Sequence, residues 1–222
     1  MSENKITPKS ILRSGKKEVK ITLENLLEHA SSDNVSDALK NLYGTTGVIE
    51  SVTAIDKSKK VIGKIVTVGV NSYDWGTGIK AIYEAEENDI LFINCSDCDH
   101  AIWGELASRA AKKNNIKATV INGASRDSEE IIKLGYPVFS KMIRPNAGKA
   151  LNMGTIKENV RIKNTIIKTG DILVGDYDGV VIIPQECVEE TLEELNKIKA
   201  FEKKCMKKLE KEDAQLDKII GI

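Results

Sequence analysis

The feature that most constrains this 222-residue chain is a short apolar segment that ends in two adjacent, opposite charges. A buried strand is predicted over Lys117–Ile121, and Asn122 and Gly123 end the apolar run before Arg126 and Asp127. Loops that follow buried strands commonly hold ligands. The planar arginine fork fits a carboxylate and aspartate offers a hard oxygen to a divalent cation, so the pair predicts a site for a small acid bound with a metal. A weak ion pair on the surface is the alternative explanation.

The composition argues against several classes of protein. Hydrophobic residues make up 41% of the chain, enough for the core of one substantial domain. Basic and acidic residues both number 33, and this balance gives no field that would attract nucleic acid or acidic lipid. No apolar stretch approaches the roughly 20 residues that a membrane helix needs. Residues 1–20 are polar and lysine-rich and contain no apolar signal core, so we expect a cytoplasmic protein without membrane or nucleic-acid partners.

The cysteines do not form the dense pattern of a disulfide-stabilised domain. They are Cys95, Cys98, Cys187 and Cys205. The spacing of Cys95 and Cys98 leaves a zinc or redox site open, but a structural zinc site takes four ligands and the sequence has no second cysteine or histidine pair. An ordinary loop with free thiols is the favoured interpretation.

The apolar pattern predicts one α/β domain over residues 21–222, preceded by a tail at residues 1–20. Two short helices are expected within residues 21–42, with a break and a cap at Ser31–Asp33. Further helices are expected after Asp74, from the end of the Asp89–Asn94 strand to about Lys113, and over Asp127–Leu134. Strands are expected at Val48–Ile55, Val61–Val70, Asp89–Asn94, Lys117–Ile121 and Tyr136–Lys141.

The later part of the chain changes character. Short β segments are expected at Val160–Ile162, Thr165–Lys168, Ile172–Val174 and Val180–Ile183. An amphipathic helix from about Gln185 past Leu209 is expected to pack on its own domain, with a subunit contact as the second choice. Asp176 and Asp178 lie in one turn before Gly179, and because a calcium loop needs a longer series of oxygen ligands, turn formation explains them better.

A second candidate site lies near the start of a predicted helix, at Gly104, Glu105, Leu106 and Ala107. The free N–H groups of a first helical turn bind anions, and glycine lets a ligand approach the backbone closely. Glu105 would then lie beside the bound acid, able to hold metal-bound water or to move a proton. The alternative is an amphipathic helix in which Gly104 permits close packing.

Three blocks in this order resemble the family of the 4-hydroxy-4-methyl-2-oxoglutarate aldolases and the regulator of ribonuclease activity A (RraA-like). They are Ala101–Leu106, Asn122–Asp127 and Gly170–Pro184. Weaker matches lie at Val35–Leu39 and Tyr136–Phe139, and the resemblance covers roughly residues 33–200. Each block is short, but their order and spacing are specific.

This resemblance implies a swivelling β/β/α-type fold with a C-terminal amphipathic helix, assembled into homotrimers or homohexamers with active sites between subunits. It implies that Arg126 binds a 2-oxo acid, that Asp127 ligates Mg²⁺ or Mn²⁺, and that Glu105 lies in the outer shell of the metal. The substrate carboxylate would be held by backbone N–H groups of Gly104, Glu105, Leu106 and Ala107. An acidic residue of a neighbouring subunit often completes such a site, and Glu202 is a candidate.

The implied activity is that of a metal-dependent (class II) carbon–carbon lyase, a 4-hydroxy-4-methyl-2-oxoglutarate aldolase or an oxaloacetate decarboxylase. Both reactions pass through a pyruvate enolate, which a divalent metal and Arg126 would stabilise without a Schiff-base lysine. The alternative is a non-catalytic protein of the same family that inhibits a ribonuclease. The loop Cys95–His100 replaces the small residues common in the family, so the identity of the acid stays open.

Overall fold

The computed structural model describes residues 30–95, 97–211 and 214–222. The tail expected at residues 1–20 and the first of the two helices expected within residues 21–42 lie outside the described residues. The second of those helices is present as α1, Ser32–Tyr43. Among the described residues, no helix combines the length and the apolar character needed to span a membrane.

The described residues alternate between strands and helices, as the apolar pattern predicts. The other helices are α2 (Gly76–Glu84), α3 (Glu105–Lys113), α4 (Ser128–Leu134), α5 (Val188–Lys211) and α6 (Leu216–Ile220), with a single 3₁₀ turn at Gln185–Cys187. The strands are β1 (Thr53–Ala54), β2 (Val61–Val70), β3 (Ile90–Cys95), β4 (Ala101–Trp103), β5 (Ala118–Ser125), β6 (Val138–Ile143), β7 (Thr155–Ile156), β8 (Val160–Ile162), β9 (Thr165–Ile167), β10 (Ile172–Gly175) and β11 (Val180–Ile183).

Nine of these strands form one mixed sheet. Its main order is β1-β6-β5-β3-β2-β10-β11, with β4 paired to β5 and β7 paired to β2. The strands from β2 through β3 and β5 to β6 are parallel, whereas β1, β7, β10 and β11 join the sheet antiparallel. Strands β8 and β9 form a separate hairpin. The α/β class and the long C-terminal helix are therefore as predicted.

The two faces of the parallel strands enter different cores. From β3, Leu91 and Ile93 pack with residues of α2, α3 and α4, whereas Ile90 and Phe92 pack with Val160 of β8 and residues of the other sheet edge. Burial on both faces explains why β3 is almost continuously apolar and why every residue of β5 is buried. The sheet therefore lies between two separate cores.

The prediction of a strand over Val48–Ile55 is wrong for most of that segment. Only Thr53–Ala54 pairs with β6, and Val48 makes an isolated bridge to Val181. Gly47 and Ser51 have positive φ angles of 65° and 62°, so the chain turns twice where a strand was expected. The apolar pattern in this segment comes from a loop whose side chains reach the core, not from pleating.

The helix expected after β3 starts later than predicted. Ala101, Ile102 and Trp103 form β4, which runs parallel to β5, and α3 begins at Glu105. All three β4 residues are buried. A short apolar run has the same appearance in a buried strand and in the buried face of a helix, so periodicity alone assigned it wrongly.

The C-terminal helix α5 packs on its own domain through the first part of its apolar stripe. Val188 and Leu195 share a core with Val35 and Leu39 of α1. Further along the stripe, Phe201 is 54% exposed, whereas Cys205 is buried. The expectation of a helix packed on its own domain is therefore confirmed, with Phe201 left exposed on the stripe.

The start of α1 is fixed by the turn that links β10 and β11. Asp176 accepts hydrogen bonds from the Ser32 backbone N–H (2.7 Å) and the Ser32 hydroxyl (2.6 Å), whereas Ser31 makes no capping side-chain bond. Within the turn, the Asp178 N–H donates to Asp176 Oδ1 and the Asp176 N–H donates to the Gly179 carbonyl. The predicted turn is confirmed, and it also anchors a distant helix.

Asp74 joins α2 to the loop between β6 and β7. Its fully buried carboxylate accepts hydrogen bonds from the Thr77 hydroxyl (2.7 Å) and from the backbone N–H groups of Leu151, Asn152 and Met153. Burial opposes ionisation, but these hydrogen bonds outweigh it and lower the pKa of Asp74 to about 2. The ionised carboxylate therefore holds this loop against α2.

We expect Asp74→Asn to destabilise the fold by about 2 kcal/mol at neutral pH, because the pKa lies well below its ordinary value of 3.8. A carboxyl group whose pKa is lowered on folding stabilises the fold fully at pH values above its ordinary pKa. This stabilisation is lost as the pH falls toward the pKa of the folded state. The difference in unfolding free energy between the two proteins should shrink between about pH 4 and pH 2. Denaturant unfolding across this range measures it.

Asp178→Asn is the matched control, because this carboxylate lies exposed in the β10–β11 turn. It should change stability little at any pH. A pH-independent penalty in Asp74→Asn would show that the substitution acts through shape or amide geometry and not through the ionised carboxylate.

Candidate active site

The residues predicted as site residues lie around one open cavity of about 780 Å³. The cavity lies where β4 passes into α3 and where β5 ends. Its lining includes every residue proposed from the sequence for substrate or metal, namely Gly104, Glu105, Leu106, Ala107, Arg126 and Asp127. Glu105 and Asp127, 22 positions apart in the sequence, are brought together because β4 and β5 are neighbours in the sheet.

Gly104 is needed because it lies against Asp127. Its backbone is extended (φ −160°, ψ −160°), a conformation open to any residue, so torsion angles do not demand glycine. A Cβ atom at this position would lie 2.5 Å from Asp127 Oδ2 and 3.1 Å from Arg126 Cγ. Both site side chains would have to move to admit it. Gly104 therefore packs closely, as the alternative explanation expects, and the group that it contacts is the candidate metal ligand.

Asp127 is held in place by backbone interactions at two helix starts. It has a left-handed backbone (φ 56°, ψ 40°) and precedes α4. Its Oδ2 atom accepts a hydrogen bond from the Glu105 N–H at 3.1 Å, the first residue of α3. In the part of the chain that the structure describes, the contacts to this carboxylate all involve Oδ2. Oδ1 is therefore available to a ligand.

Arg126 and Asp127 do form the ion pair that was the alternative explanation. The Arg126 Nε and Asp127 Oδ2 atoms are 3.6 Å apart, and the two side chains are 45% and 39% exposed. A contact this long and this exposed contributes little to stability. It involves one nitrogen of the guanidinium, and the Arg126 backbone N–H is bound to the Trp103 carbonyl at 2.9 Å. The backbone is therefore fixed while the end of the side chain remains accessible.

The first turn of α3 has the groups needed to bind an anion. Of its first N–H groups, that of Glu105 is used by Asp127, and that of Ser108 donates to the Gly104 carbonyl. The N–H groups of Leu106 and Ala107 have no partner within the helix, and the residue before the helix is a glycine that offers no capping side chain. Two N–H donors at the positive end of the helix dipole thus border the cavity.

Glu105 is paired along its own helix. Arg109 donates to Glu105 Oε1 from Nε at 2.8 Å and approaches it from Nη2 at 2.7 Å. The pair holds the Glu105 side chain beside the cavity, a position that suits a group that accepts a proton. Glu202, considered as an acid donated to a neighbouring subunit, accepts a hydrogen bond from Asn34 of α1 in the same chain.

The oxygen ligands around the cavity suit a hard cation that keeps most of its water. Asp127 is the central carboxylate, and Glu105 and Glu130 also line the cavity. The described residues contain no group of three or more side chains placed to hold a metal ion. Mg²⁺ is commonly held by one or two carboxylates with several waters, so the donor set fits Mg²⁺ or Mn²⁺ and does not resemble a four-ligand zinc site.

The sequence did not indicate the far wall of the cavity. Trp75, Ala147, Gly148 and Glu130 also line it. The Trp75 indole donates to the Gly148 carbonyl at 3.2 Å, and Asp74 holds the residues that follow. These contacts join residues that are more than 70 positions apart in the sequence, so no local pattern could reveal them.

The loop that departs from the family pattern is tied to the same wall. Arg144 donates to the Cys98 carbonyl, and Asn146 donates to the Asp99 carbonyl at 2.8 Å. His100 meets the Tyr73 ring edge-on, with ring centroids 5.1 Å apart. Cys95 is buried, and this burial raises the pKa of its thiol, so a neutral thiol is expected at physiological pH.

Comparisons with known proteins identify the family of the chain. The model of the RraA-like family, Aldolase/RraA, matches residues 32–182. The chain is 38% identical to an uncharacterized protein of Methanocaldococcus jannaschii, over 83% of this chain and 88% of that protein. It is 33% identical to a Halalkalibacterium halodurans protein whose name proposes 4-hydroxy-4-methyl-2-oxoglutarate aldolase activity, over 75% of this chain and 78% of the relative.

The fold is also shared with solved structures. RraAS2 of Streptomyces coelicolor, described as an unusual member of the RNase ES inhibitor RraA protein family, superposes with a TM-score of 0.72. The match covers 82% of this chain and 94% of that chain at 20% identity, which establishes the fold and not the activity. The swivelling α/β fold expected from the resemblance is confirmed. The match to the family model across most of the chain, with the identity to two relatives, shows that this protein belongs to the Aldolase/RraA (RraA-like) family.

Proposed function

We propose that this protein is a divalent-metal-dependent lyase that cleaves or decarboxylates a small 2-oxo acid. The observation that carries the proposal is the convergence of three kinds of group on one cavity. Arg126 supplies an accessible cation, Asp127 supplies a carboxylate oxygen, and Leu106 and Ala107 supply free backbone N–H groups. A 2-oxo acid carries a carboxylate and a carbonyl oxygen next to each other, so these groups match its two functional ends.

Each group has a distinct role in this proposal. The N–H groups of Leu106 and Ala107 bind the substrate carboxylate at the start of α3. Arg126 donates to the 2-oxo oxygen, where negative charge develops as the carbon–carbon bond breaks. Glu105, held by Arg109, accepts the proton that leaves the substrate hydroxyl in a retro-aldol cleavage.

Asp127 would hold the metal, Mg²⁺ or Mn²⁺. When bound, the metal supplies a Lewis acid that stabilises the enolate of the product pyruvate. Gly104 keeps Asp127 at the base of the cavity by leaving room for its carboxylate. A charge stabilised by both Arg126 and a cation requires no lysine that forms a Schiff base.

We also propose that the chain acts as a homo-oligomer, a trimer or a hexamer. Leu106 is 80% exposed although it lies in the first turn of α3, beside the cavity. An apolar side chain so exposed at a polar site suits contact with substrate or a neighbouring copy.

Arg126→Ala and Asp127→Ala should each abolish most metal-dependent pyruvate release from oxaloacetate or 4-hydroxy-4-methyl-2-oxoglutarate. Loss of Arg126 removes the donor to the developing charge and should reduce turnover on the order of 100-fold, about 3 kcal/mol of barrier. EDTA should stop turnover of the unmodified protein, and Mg²⁺ or Mn²⁺ should restore it. A coupled lactate dehydrogenase assay for pyruvate gives the rates.

Arg161→Ala and Asp217→Ala are the matched controls, because both side chains are exposed and lie outside the cavity lining. They should keep full activity. If the folded, metal-supplied protein turns over neither substrate, the aldolase proposal fails for these acids, and a binding role of the family becomes the better explanation.

Gly104→Ala should reduce turnover about 100-fold with only a modest loss of stability. The new methyl group must displace Asp127 or Arg126, and misplacing a catalytic group by about 1 Å costs on that order. Gly179→Ala is the control, since the nearest atom to its Cβ would be 3.7 Å away. Equal activities in the two variants would show that the Gly104 contact does not set the geometry of the site.

Native mass spectrometry tests the assembly. A trimer or hexamer of the 24.4 kDa chain is expected. A monomer that retains full activity would contradict an active site shared between subunits.

A further inference from the structure

The lining of the active-site cavity contains one positive charge, and the proposed function already uses it. Among the described residues that line the cavity, Arg126 is the one basic residue, whereas Glu105, Asp127 and Glu130 are acidic. Arg126 is assigned to the 2-oxo oxygen of the substrate, and the free N–H groups at the start of α3 are assigned to its first carboxylate. A second carboxylate on the substrate would therefore find no cationic side chain of its own in this lining.

The acidic side chains of the lining also oppose a second carboxylate. Glu105 is balanced by Arg109, and Asp127 is the proposed metal ligand. Glu130 is half-buried and forms no ion pair with another described residue. Its negative charge is thus left uncompensated at the cavity, and like charges brought together in a binding site weaken binding.

One wall of the active-site cavity is apolar. It is formed by Trp75, Ile79, Ala147 and Gly148, which come from the start of α2 and from the loop between β6 and β7, and we call it the apolar wall. Trp75 and Ile79 also pack against the core beneath α2, and Ala147 forms a backbone bridge to Ala101 of β4. The apolar wall is therefore a hydrocarbon surface that is anchored to the sheet and to a helix.

The tryptophans of the lining have no side-chain donor left for a ligand. The Trp75 indole N–H donates to the Gly148 carbonyl at 3.2 Å. The indole N–H of Trp103, which also lines the cavity, donates to the Ser108 hydroxyl at 2.9 Å. Since an indole has a single N–H group, both side chains offer the cavity only ring surface. Such a surface favours the hydrocarbon part of a ligand over a charged group.

We infer that the acid cleaved at this site has a single carboxylate and a hydrocarbon group at C4. The inference rests on the proposed lyase function and names the substrate class of the same site. The substrate is a 4-hydroxy-2-oxo acid that is bound through its carboxylate and its 2-oxo oxygen as described above. Its C4 substituent lies against the apolar wall, where a dicarboxylic acid would place a second charge.

Cleavage of such an acid yields pyruvate and an uncharged aldehyde or ketone. The C4 hydroxyl gives its proton to Glu105 and becomes the carbonyl group of the released product as the C3–C4 bond breaks. The electron pair of that bond passes to C3 and forms the pyruvate enolate. Glu105 then returns the proton to C3, so the reaction requires no oxidant, reductant or further reactant.

The first test measures binding without turnover. The native protein is titrated calorimetrically, with Mg²⁺ present, with 5-methyl-2-oxohexanoate and with 2-oxoglutarate. The two acids differ in an isopropyl group that replaces the second carboxylate, and neither has the C4 hydroxyl that cleavage requires. We expect 5-methyl-2-oxohexanoate to bind at least about tenfold more tightly. Equal affinities, tighter binding of 2-oxoglutarate, or no saturable binding of either acid would overturn the inference.

Glu130→Gln tests the charge of the lining. It removes a negative charge and should strengthen 2-oxoglutarate relative to 5-methyl-2-oxohexanoate by about threefold. Glu129→Gln is the matched control, because Glu129 lies outside the lining and pairs with Lys133. It should leave the ratio of the two affinities unchanged.

Ile79→Ala tests the apolar wall. It should weaken 5-methyl-2-oxohexanoate about fourfold, the scale of one buried CH₂ group, and leave the affinity for pyruvate unchanged, because pyruvate ends at C3. Ile132→Ala makes the same truncation at a side chain that is 46% exposed and outside the lining, and it should change neither affinity. Affinity ratios that neither Glu130→Gln nor Ile79→Ala alters would contradict the assignment of this wall to C4.

The second test compares turnover of 4-hydroxy-4-methyl-2-oxopentanoate and 4-hydroxy-4-methyl-2-oxoglutarate, which differ in a methyl group that replaces the second carboxylate. Each rate is divided by the rate in Mg²⁺ buffer without protein, and the dicarboxylate rate is halved because its cleavage yields two pyruvates. The relative kcat/KM should favour the monocarboxylate about tenfold. Turnover that favours the dicarboxylate would refute the inference and leave the lyase function intact. The expected binding preference without turnover of either acid would support the inferred recognition and refute the lyase function.

Discussion

The close approach of the Gly104 backbone to the Asp127 carboxylate is the contact on which the candidate active site depends. It joins the start of α3 to the loop after β5, and it exists because β4 and β5 lie side by side. The hydrogen bond from the Glu105 N–H to Asp127 uses one donor of the helix start. The next N–H groups, those of Leu106 and Ala107, are then left for a ligand. The contact between Gly104 and Asp127 therefore positions the carboxylate and also defines the anion site.

The interactions within the candidate active site contribute little to stability, but they fix the positions of its groups. The Arg126–Asp127 pair is long and exposed, and an ion pair of this kind adds little to the stability of the fold. The backbone around it is strongly fixed, by the Arg126 N–H bond to Trp103 and by the left-handed residue Asp127 before α4. Rigid backbone with accessible side-chain ends is the arrangement expected of groups that must meet a substrate without reorganising.

The sequence predicted the parts of the fold that depend on neighbouring residues. The strand before Arg126, the helices α1, α2, α4 and α5, and the turn at Asp176 follow from local spacing and turn chemistry. The strand β4 was missed because Ala101–Trp103 is too short for its period to separate strand from helix. Asp74 and the wall near Gly148 were missed because their bonds join residues 73 to 79 positions apart. A single sequence contains no signal for such pairs.

Strand β5 packs against other elements on both of its faces, and this packing explains its composition. All of its residues are buried, because one face packs against the helices and the other faces the β8–β9 side. Asn122 lies on the second face, and Arg126 follows the same strand four residues later. A bulge between Ile121 and Ala124 shifts the pairing with β6 between these two positions. The bulge therefore separates the part of β5 that packs on the β8–β9 side from the part that leads into Arg126, and bulges of this kind commonly redirect a strand beside a functional site.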